Sequence, residues 1–267
     1  MPSLPQLSLL FIAAALFAAG AGVSLAQRWR DKSKSTVLAR LLMSAGIIAC
    51  VALILWHDAA RKQWLPIGDN FDALLWLATL LAIFVVYVQS TKPVIGLDWF
   101  ITPVVVLLLL AAAFVGKTEY HSYVGSTWDW MHRVTAYGGA VAFAIAAATG
   151  AMYVVNSRRL RAKSPVVRSF ASLERLEHLT MSAVVLGFAL LTLGAITGGV
   201  TMIAQGRHTS TAKIALTVAV WLVYAIVLHA PINPSFRGRK VAVLSVVGFV
   251  LMIGTLAAVL LLPGGVR

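Results

Sequence analysis

One long uncharged stretch constrains the fold of this chain more than any other feature. It runs from Val134 to Val154 and contains no Asp, Glu, Lys or Arg. About twenty helical residues, at roughly 1.5 Å each, cross the ~30 Å hydrocarbon core of a bilayer. Trp128 and Trp130 precede the stretch, and a cluster of arginines that ends at Arg161 follows it. Aromatic residues at one interface and basic residues at the cytoplasmic end are typical of a membrane-spanning helix.

The composition extends this interpretation to the whole chain. Hydrophobic residues make up 60% of the sequence and charged residues 12%, with a mean hydropathy of +0.88, whereas soluble domains carry about 25% charged residues. The net charge of +13 comes mostly from short loops between apolar stretches, which indicates membrane topology rather than a nucleic-acid partner. The single cysteine, Cys50, excludes an internal disulfide and a CxxC redox pair.

Eight apolar stretches predict an all-α bundle of about eight transmembrane helices. No repeat with a period of 20–50 residues is present, and no segment is long enough for a separate soluble domain, so we expect a single membrane domain over residues 1–267. The predicted spans are about Leu7–Ala26, Leu41–Trp56, Phe71–Val88, Phe100–Val115, Val134–Val154, Leu179–Ala204, Ile214–His229 and Val241–Leu262.

The distribution of basic residues predicts the orientation of these spans. The first, third, fifth and seventh loops hold 15 of the 22 Lys and Arg residues. Because cytoplasmic loops carry the excess of positive charge, both termini are predicted to lie outside, in a multi-pass protein of the cell membrane. The longest loop, Asn156–His178, is then cytoplasmic.

Histidines are the polar residues that form a pattern on this topology. Outer and inner groups lie roughly a bilayer thickness apart, about 30 Å, so the two groups cannot share one metal ion. If they bind anything, they form one site on each face. The outer histidines are His57, His121, His132 and His208, and the inner ones are His178 and His229.

Two of these histidines have aromatic neighbours. Trp128, Trp130 and Tyr137 surround His132, and Tyr224 precedes His229 on the same predicted helix. Apolar or aromatic walls with an axial imidazole are what haem ligation requires. The alternative is an ordinary interfacial histidine within a belt of tryptophan and tyrosine.

Other kinds of chemistry have less support in the sequence. Asp72 and Asp98 lie near span ends rather than at the midplane, so no intramembrane carboxylate pair suggests a proton relay. No GxxxxGK[ST] loop is present. The glycines from Gly187 to Gly199 have the spacing of close helix packing. A small-solute transporter is a weaker hypothesis, because broken helices are missing. We predict no catalytic residue and expect a binding or accessory role rather than an enzyme.

Four segments resemble a known family when taken in order. They lie between about Pro66 and Leu262 and read PIGDNFDALLWL, HRVTAYGGAVAFAIAAATGAMYVVNSRRLRAK, SLERLEHLTMSAVVLGFALLTLGAITGGV and WLVYAIVLHAPINPSFRGRKVAVLSVVGF. The chain thereby resembles the cytochrome c assembly superfamily of membrane proteins, which includes the CcsA and HemX families. Asp72 stands where that family usually has glutamate.

The resemblance implies a haem-handling protein of a bacterial inner membrane. It implies that His132 is an external axial ligand of haem and that His229 holds an inner haem position. It also implies other cytochrome c assembly membrane subunits as partners, and apocytochrome c as a further one. HemX-like proteins suggest an alternative, a regulator of tetrapyrrole synthesis that contacts a cytoplasmic partner through the loop Asn156–His178.

The chain departs from the family at the outer haem site. The tryptophan-rich motif WGxxWxWDxxE is replaced by AQGRHTSTAKIAL, which keeps Gly206 and Lys213 but has neither tryptophan nor acid. The second external histidine expected after the last span is also missing from LLLPGGVR. His208, inside the altered loop, is the candidate for a substitute sixth ligand.

Overall fold

The computed structural model describes residues 2–30, 34–61, 68–116, 127–162, 171–204, 210–229 and 238–261. These parts of the chain contain eight α-helices and no strand, so the predicted all-α class is confirmed. Each helix is long and apolar enough to cross a bilayer, which makes the chain a multi-pass membrane protein. The helices are α1 Leu4–Arg30, α2 Lys34–Arg61, α3 Asn70–Thr91, α4 Leu97–Val115, α5 Thr127–Arg161, α6 Leu173–Ala204, α7 Thr211–Leu228 and α8 Arg239–Leu261.

Several helices are longer than the predicted spans. α5 has 35 residues, although its uncharged stretch has only about twenty. α2 continues past Trp56, the predicted end of its span, to Arg61. Hydropathy marks only the part of a helix in hydrocarbon, whereas its backbone hydrogen bonds continue into the charged residues beyond. His57 and Asp58 therefore belong to a helix rather than to a loop.

The chain divides into two compact units, residues 1–121 and 122–267. In the first unit α1 packs on α2 and α4, and α3 packs on α4 and α2. α3 is the most buried helix of this unit, and Phe71 and Leu74 on it have no exposed surface. A single membrane domain over residues 1–267 stays a prediction.

α5 is the central helix of the second unit. It contacts α6 and α8, while α7 packs on α8 and α6, and all residues from 142 to 150 are buried. A Cβ added to Gly150 would lie 2.8 Å from the carbonyl oxygen of Ala242 in α8. On the α6 side, the hydroxyl oxygens of Thr149 and Thr180 lie 2.8 Å apart in a hydrogen bond. Small residues thus let the helices approach closely, as predicted for a bundle in lipid.

We expect Gly150→Ala to destabilise the protein by about 1–3 kcal/mol, because the new methyl group would be forced against a backbone atom of α8. The matched control is Gly254→Ala on α8, where the nearest atom to an added Cβ is 4.0 Å away. The control should be neutral or slightly stabilising, since alanine favours helix. Thermal unfolding in detergent, followed by circular dichroism, measures both. Equal melting temperatures for the two variants would contradict the close contact of α5 with α8.

Candidate functional site

His132 lies near the beginning of α5 and is half-buried. Its Nδ1 atom is 2.7 Å from the carbonyl oxygen of Gly194 in α6. A carbonyl oxygen only accepts hydrogen bonds, so Nδ1 must be the protonated nitrogen. The lone pair of the neutral ring is then on Nε2.

Glycine residues of α6 make room for this ring. A Cβ added to Gly198 would lie 2.8 Å from both Cε1 and Nδ1 of His132. A Cβ added to Gly187, farther along the same helix, would lie 2.6 Å from the Phe143 ring. These contacts support the packing role predicted for Gly187 and Gly198 but not for Gly199, where an added Cβ meets nothing within 4 Å; Gly198 also accommodates His132.

His229 is the C-cap residue of α7 and is exposed. Its Nδ1 atom is 2.8 Å from the carbonyl oxygen of Ala225, so this ring also has its lone pair on Nε2. α7 has 18 residues and spans about 27 Å. It begins at the end of the unit where His132 contacts α6, and it ends at His229. The two imidazoles therefore lie at opposite ends of the second unit and do not come together.

The predicted aromatic neighbours lie in different surroundings. Trp128 and Trp130 are exposed and Tyr137 is half-buried. Tyr224 is completely buried: its ring stacks on Phe143 with 3.6 Å between centroids, and its hydroxyl donates a hydrogen bond to the carbonyl oxygen of Ser245. Tyr224 thus joins α5, α7 and α8 in the core of the unit.

Three sequence-based hypotheses concern residues that the structure describes only partly or not at all. His208, the candidate sixth ligand, and His121 lie outside the described residues. The loop Asn156–His178, predicted as a regulatory contact, is described except for residues 163–170. In its described part, the Asn156 side chain donates a hydrogen bond to the carbonyl oxygen of Ala171 at 3.0 Å.

A second group of polar residues lies in the first unit, between the end of α2 and the beginning of α3. His57, Asp69 and Asp72 are 4%, 1% and 0% exposed, and we call these three residues the His57 cluster. The Nε2 atom of His57 is 3.2 Å from Oδ2 of Asp69 and 3.6 Å from Oδ1 of Asp72. On the other side of the ring, Nδ1 of His57 is 3.1 Å from the side-chain nitrogen of Gln6 in α1.

Asp69 organises the His57 cluster as the N-cap residue of α3. Its Oδ1 accepts a hydrogen bond of 2.7 Å from the backbone N–H of Asp72, and its Oδ2 accepts from His57. Arg61, in the last turn of α2, forms an ion pair with the same Oδ2 atom. Burial alone would raise the pKa of the Asp69 carboxyl, but these hydrogen-bond donors outweigh burial and hold that pKa below its ordinary value.

The sequence interpretation did not identify the His57 cluster. It correctly put Asp72 near the end of a span, but it assigned His57 to a loop. Two spacings offered a signal. His57 and Arg61 are four residues apart on one helix, and Asp69 and Asp72 are three apart at the start of the next. Each spacing puts two polar side chains on one helix face.

We expect Arg61→Gln to destabilise the protein by on the order of 3 kcal/mol, because Asp69 and Asp72 would lose their guanidinium partner while they stay buried. Adding Asp72→Asn should restore part of the loss, since it removes one of the two repelling carboxylates. Arg158→Gln, at an exposed position in the last turn of α5, is the control and should change stability by less than about 0.5 kcal/mol. Chemical denaturation in detergent measures all three. A loss in Arg61→Gln no larger than in the control would refute this account of the cluster.

Comparison with known proteins identifies the family. A family model described as "Cytochrome C assembly protein" matches residues 8–264. This chain belongs to the cytochrome c assembly protein family. The resemblance from about residue 66 to 262 is thereby confirmed, and it extends further toward the N-terminus. The first two helices, and with them His57, also belong to the family region of this cytochrome c assembly protein.

Individual relatives are distant over most of the chain. The cytochrome c biogenesis protein CcsA of Prochlorococcus marinus is 24% identical over 258 residues, which cover 84% of this chain and 81% of the relative. The inner membrane protein YpjD of Escherichia coli is 24% identical over 217 residues, or 77% of this chain and 81% of the relative. CcsA of Thermosynechococcus vestitus is 44% identical, but over only 78 residues, which cover 28% of this chain and 24% of the relative. The chain is therefore similar to proteins of more than one name.

Proposed function

We propose that this protein acts in cytochrome c biogenesis as a haem-handling membrane protein. The observation that carries the proposal is the state of its two candidate ligands. In both His132 and His229, Nδ1 donates a hydrogen bond to a backbone carbonyl, which leaves the lone pair of Nε2 for iron. The family and the relatives named CcsA support the assignment to cytochrome c biogenesis.

The residues at the two ends of the second unit fit haem in different ways. When bound, haem supplies an iron centre that takes nitrogen ligands at its axial positions. The ring of His132 is oriented by the carbonyl of Gly194 and the space at Gly198. Exposed Trp128, four residues earlier on α5, offers apolar surface on the same helix face. His229 is exposed at the other end. In this proposal His208 would be the second histidine to hold haem on the outer side.

The partners in this proposal are other cytochrome c assembly subunits in the same membrane, with apocytochrome c as the haem acceptor. Trp128 and Trp130 lie exposed at the end of α5 where His132 is found. Exposed tryptophans are frequent where proteins contact one another or the lipid headgroups. We therefore infer that this end of the second unit is where haem is exchanged.

Haem content after purification tests the proposal. The protein is produced with haem supplied, and the Soret band is measured per mole of protein. We expect His132→Ala and His229→Ala each to lose roughly half of the bound haem, because each histidine serves a separate site, and the double variant to lose nearly all of it. His178→Ala, which removes an exposed histidine from α6, is the control and should keep the full band. An undiminished Soret band in the double variant would refute the proposal.

A pair of glycine variants tests the orientation of His132 without touching a ligand. Gly198→Ala forces the imidazole to move and should reduce haem as much as His132→Ala does, whereas an added Cβ at neighbouring Gly199 meets nothing within 4 Å. Both substitutions raise helix propensity equally, so Gly199→Ala controls for effects on α6 itself. Equal haem content in Gly198→Ala and Gly199→Ala would show that the position of the His132 ring does not affect haem binding.

We further propose that both termini lie outside, which puts His132 on the outer surface. In a Cys50→Ala background, a cysteine at exposed Thr127 should react with a membrane-impermeant maleimide on intact cells. A cysteine at exposed Leu160, at the other end of α5, should react only after the membrane is opened. The distribution of basic residues predicts this orientation. The reverse labelling pattern would show that both termini lie inside.

A further inference from the structure

We propose that the His57 cluster is a binding site for a divalent first-row transition metal ion such as Zn²⁺. His57, Asp69 and Asp72 each offer one ligand atom, and these three atoms lie within 4.8 Å of one another. They belong to the first compact unit, whereas the candidate haem ligands His132 and His229 belong to the second. The metal site is therefore a separate feature of the protein.

The separations between the ligand atoms are close to those that a bound ion requires. A tetrahedral ion with bonds of about 2.0–2.1 Å separates neighbouring ligand atoms by about 3.3 Å. The two measured separations, from Nε2 of His57 to the carboxylate oxygens of Asp69 and Asp72, are 3.2 and 3.6 Å. These two values bracket the required one, and all three ligand atoms lie within 4.8 Å of one another, so side-chain rotations that bring the two carboxylates together close the site.

Asp72 provides an independent indication of a ligand. Its side chain is 1% exposed, and neither carboxylate oxygen has a hydrogen-bond partner. Oδ1 is directed toward His57, and Oδ2 lies 3.6 Å from a guanidinium nitrogen of Arg61, which already pairs with Asp69. Burying a carboxylate without donors is unfavourable, because the group loses its hydration and gains no hydrogen bond in return. A bound cation would supply the missing partner.

The charges of the surrounding residues also favour a divalent cation. Asp58, Asp69 and Asp72 are all buried, and Arg61 is the cation that pairs with two of them. With His57 neutral and all three carboxyl groups ionised, the three carboxylates and one guanidinium would have a net charge of −2. One divalent ion makes the group neutral, which lowers the cost of burying it.

Gln6 is placed to orient His57 for metal binding. Its side-chain nitrogen lies 3.1 Å from Nδ1 of His57, and its side-chain oxygen accepts a 2.9 Å hydrogen bond from the backbone N–H of Ser3. When an ion takes the lone pair of Nε2, the ring proton moves to Nδ1 and needs an acceptor. A half-turn of the Gln6 amide supplies its oxygen at the same place, at the cost of the Ser3 hydrogen bond. A glutamate at position 6 would accept this proton through either carboxylate oxygen.

The donor set narrows the kind of ion. One imidazole and two carboxylates suit Zn²⁺, a borderline ion that takes both nitrogen and oxygen ligands. Mg²⁺ prefers oxygen ligands and retains its water, so it should bind much more weakly. Zn²⁺ is therefore the probe, and Mg²⁺ is the comparison.

Calorimetric titration of the chelator-treated full-length protein with Zn²⁺ tests the site, together with the melting temperature with and without Zn²⁺. We expect one Zn²⁺ to bind and to raise the melting temperature. Asp72→Asn and His57→Gln should weaken binding more than about 100-fold, and Gln6→Leu by about 10–100-fold. Gln6→Glu should strengthen it. Mg²⁺ should leave the melting temperature unchanged.

Two controls separate ligation from folding and from other histidines. Asp72→Asn removes a repelling charge, so its melting temperature without Zn²⁺ should equal or exceed that of the wild type. Asp98→Asn changes another buried aspartate at a helix beginning and should bind Zn²⁺ normally. The His132→Ala, His229→Ala double variant should also keep the site. Zn²⁺ that fails to bind the folded wild type, or that binds Asp72→Asn or His57→Gln as tightly as wild type, would overturn the proposal.

Discussion

Close approach of α5 to its neighbours is the constraint on which the second unit depends. In lipid no hydrophobic driving force brings helices together, so they must associate through short contacts and hydrogen bonds. Gly150 allows the backbone of α8 to approach, and Gly187 accepts the ring of Phe143. Gly198 of α6 likewise has no side chain, and this leaves room for the imidazole of His132. Small residues therefore allow both the close packing of the helices and the position of His132, the candidate haem ligand.

In the first unit the main constraint is the burial of ionisable side chains. Helix α2 extends beyond its apolar part and brings His57 and Arg61 to the beginning of α3, where Asp69 caps the helix. The ion pair and the cap hydrogen bonds satisfy Asp69 completely but leave the carboxylate oxygens of Asp72 without a donor. Stable structures rarely leave such a group uncompensated. The polar groups of the two units thus differ: the second unit has imidazoles that donate hydrogen bonds to backbone carbonyls, and the first has buried carboxyl groups around one guanidinium.

Sequence reasoning recovered the eight helices because an uncharged apolar run of membrane length is stable in few conformations besides a membrane-spanning helix. It did not recover the helix ends, since hydropathy stops where charge begins while α2 continues to Arg61. It also singled out His132 and His229, but their hydrogen bonds to the carbonyls of Gly194 and Ala225 have no sequence signature. The His57 cluster was missed because its members come from the end of one helix and the beginning of the next, and only tertiary structure brings them together.

The hydrogen bond between Thr149 and Thr180 bears on the surroundings of His132, although His132 lies at the other end of α5. α5 and α6 run antiparallel, and this hydrogen bond sets their axial register. His132 is about 26 Å along α5 from Thr149, and the same register brings Gly194 and Gly198 opposite its ring. A slip of one helical turn, about 5.4 Å, that brought Met202 to the place of Gly198 would put a bulkier side chain against the imidazole. This buried pair of threonine side chains therefore helps to align α5 and α6 for the contacts that His132 makes at the other end of the second unit.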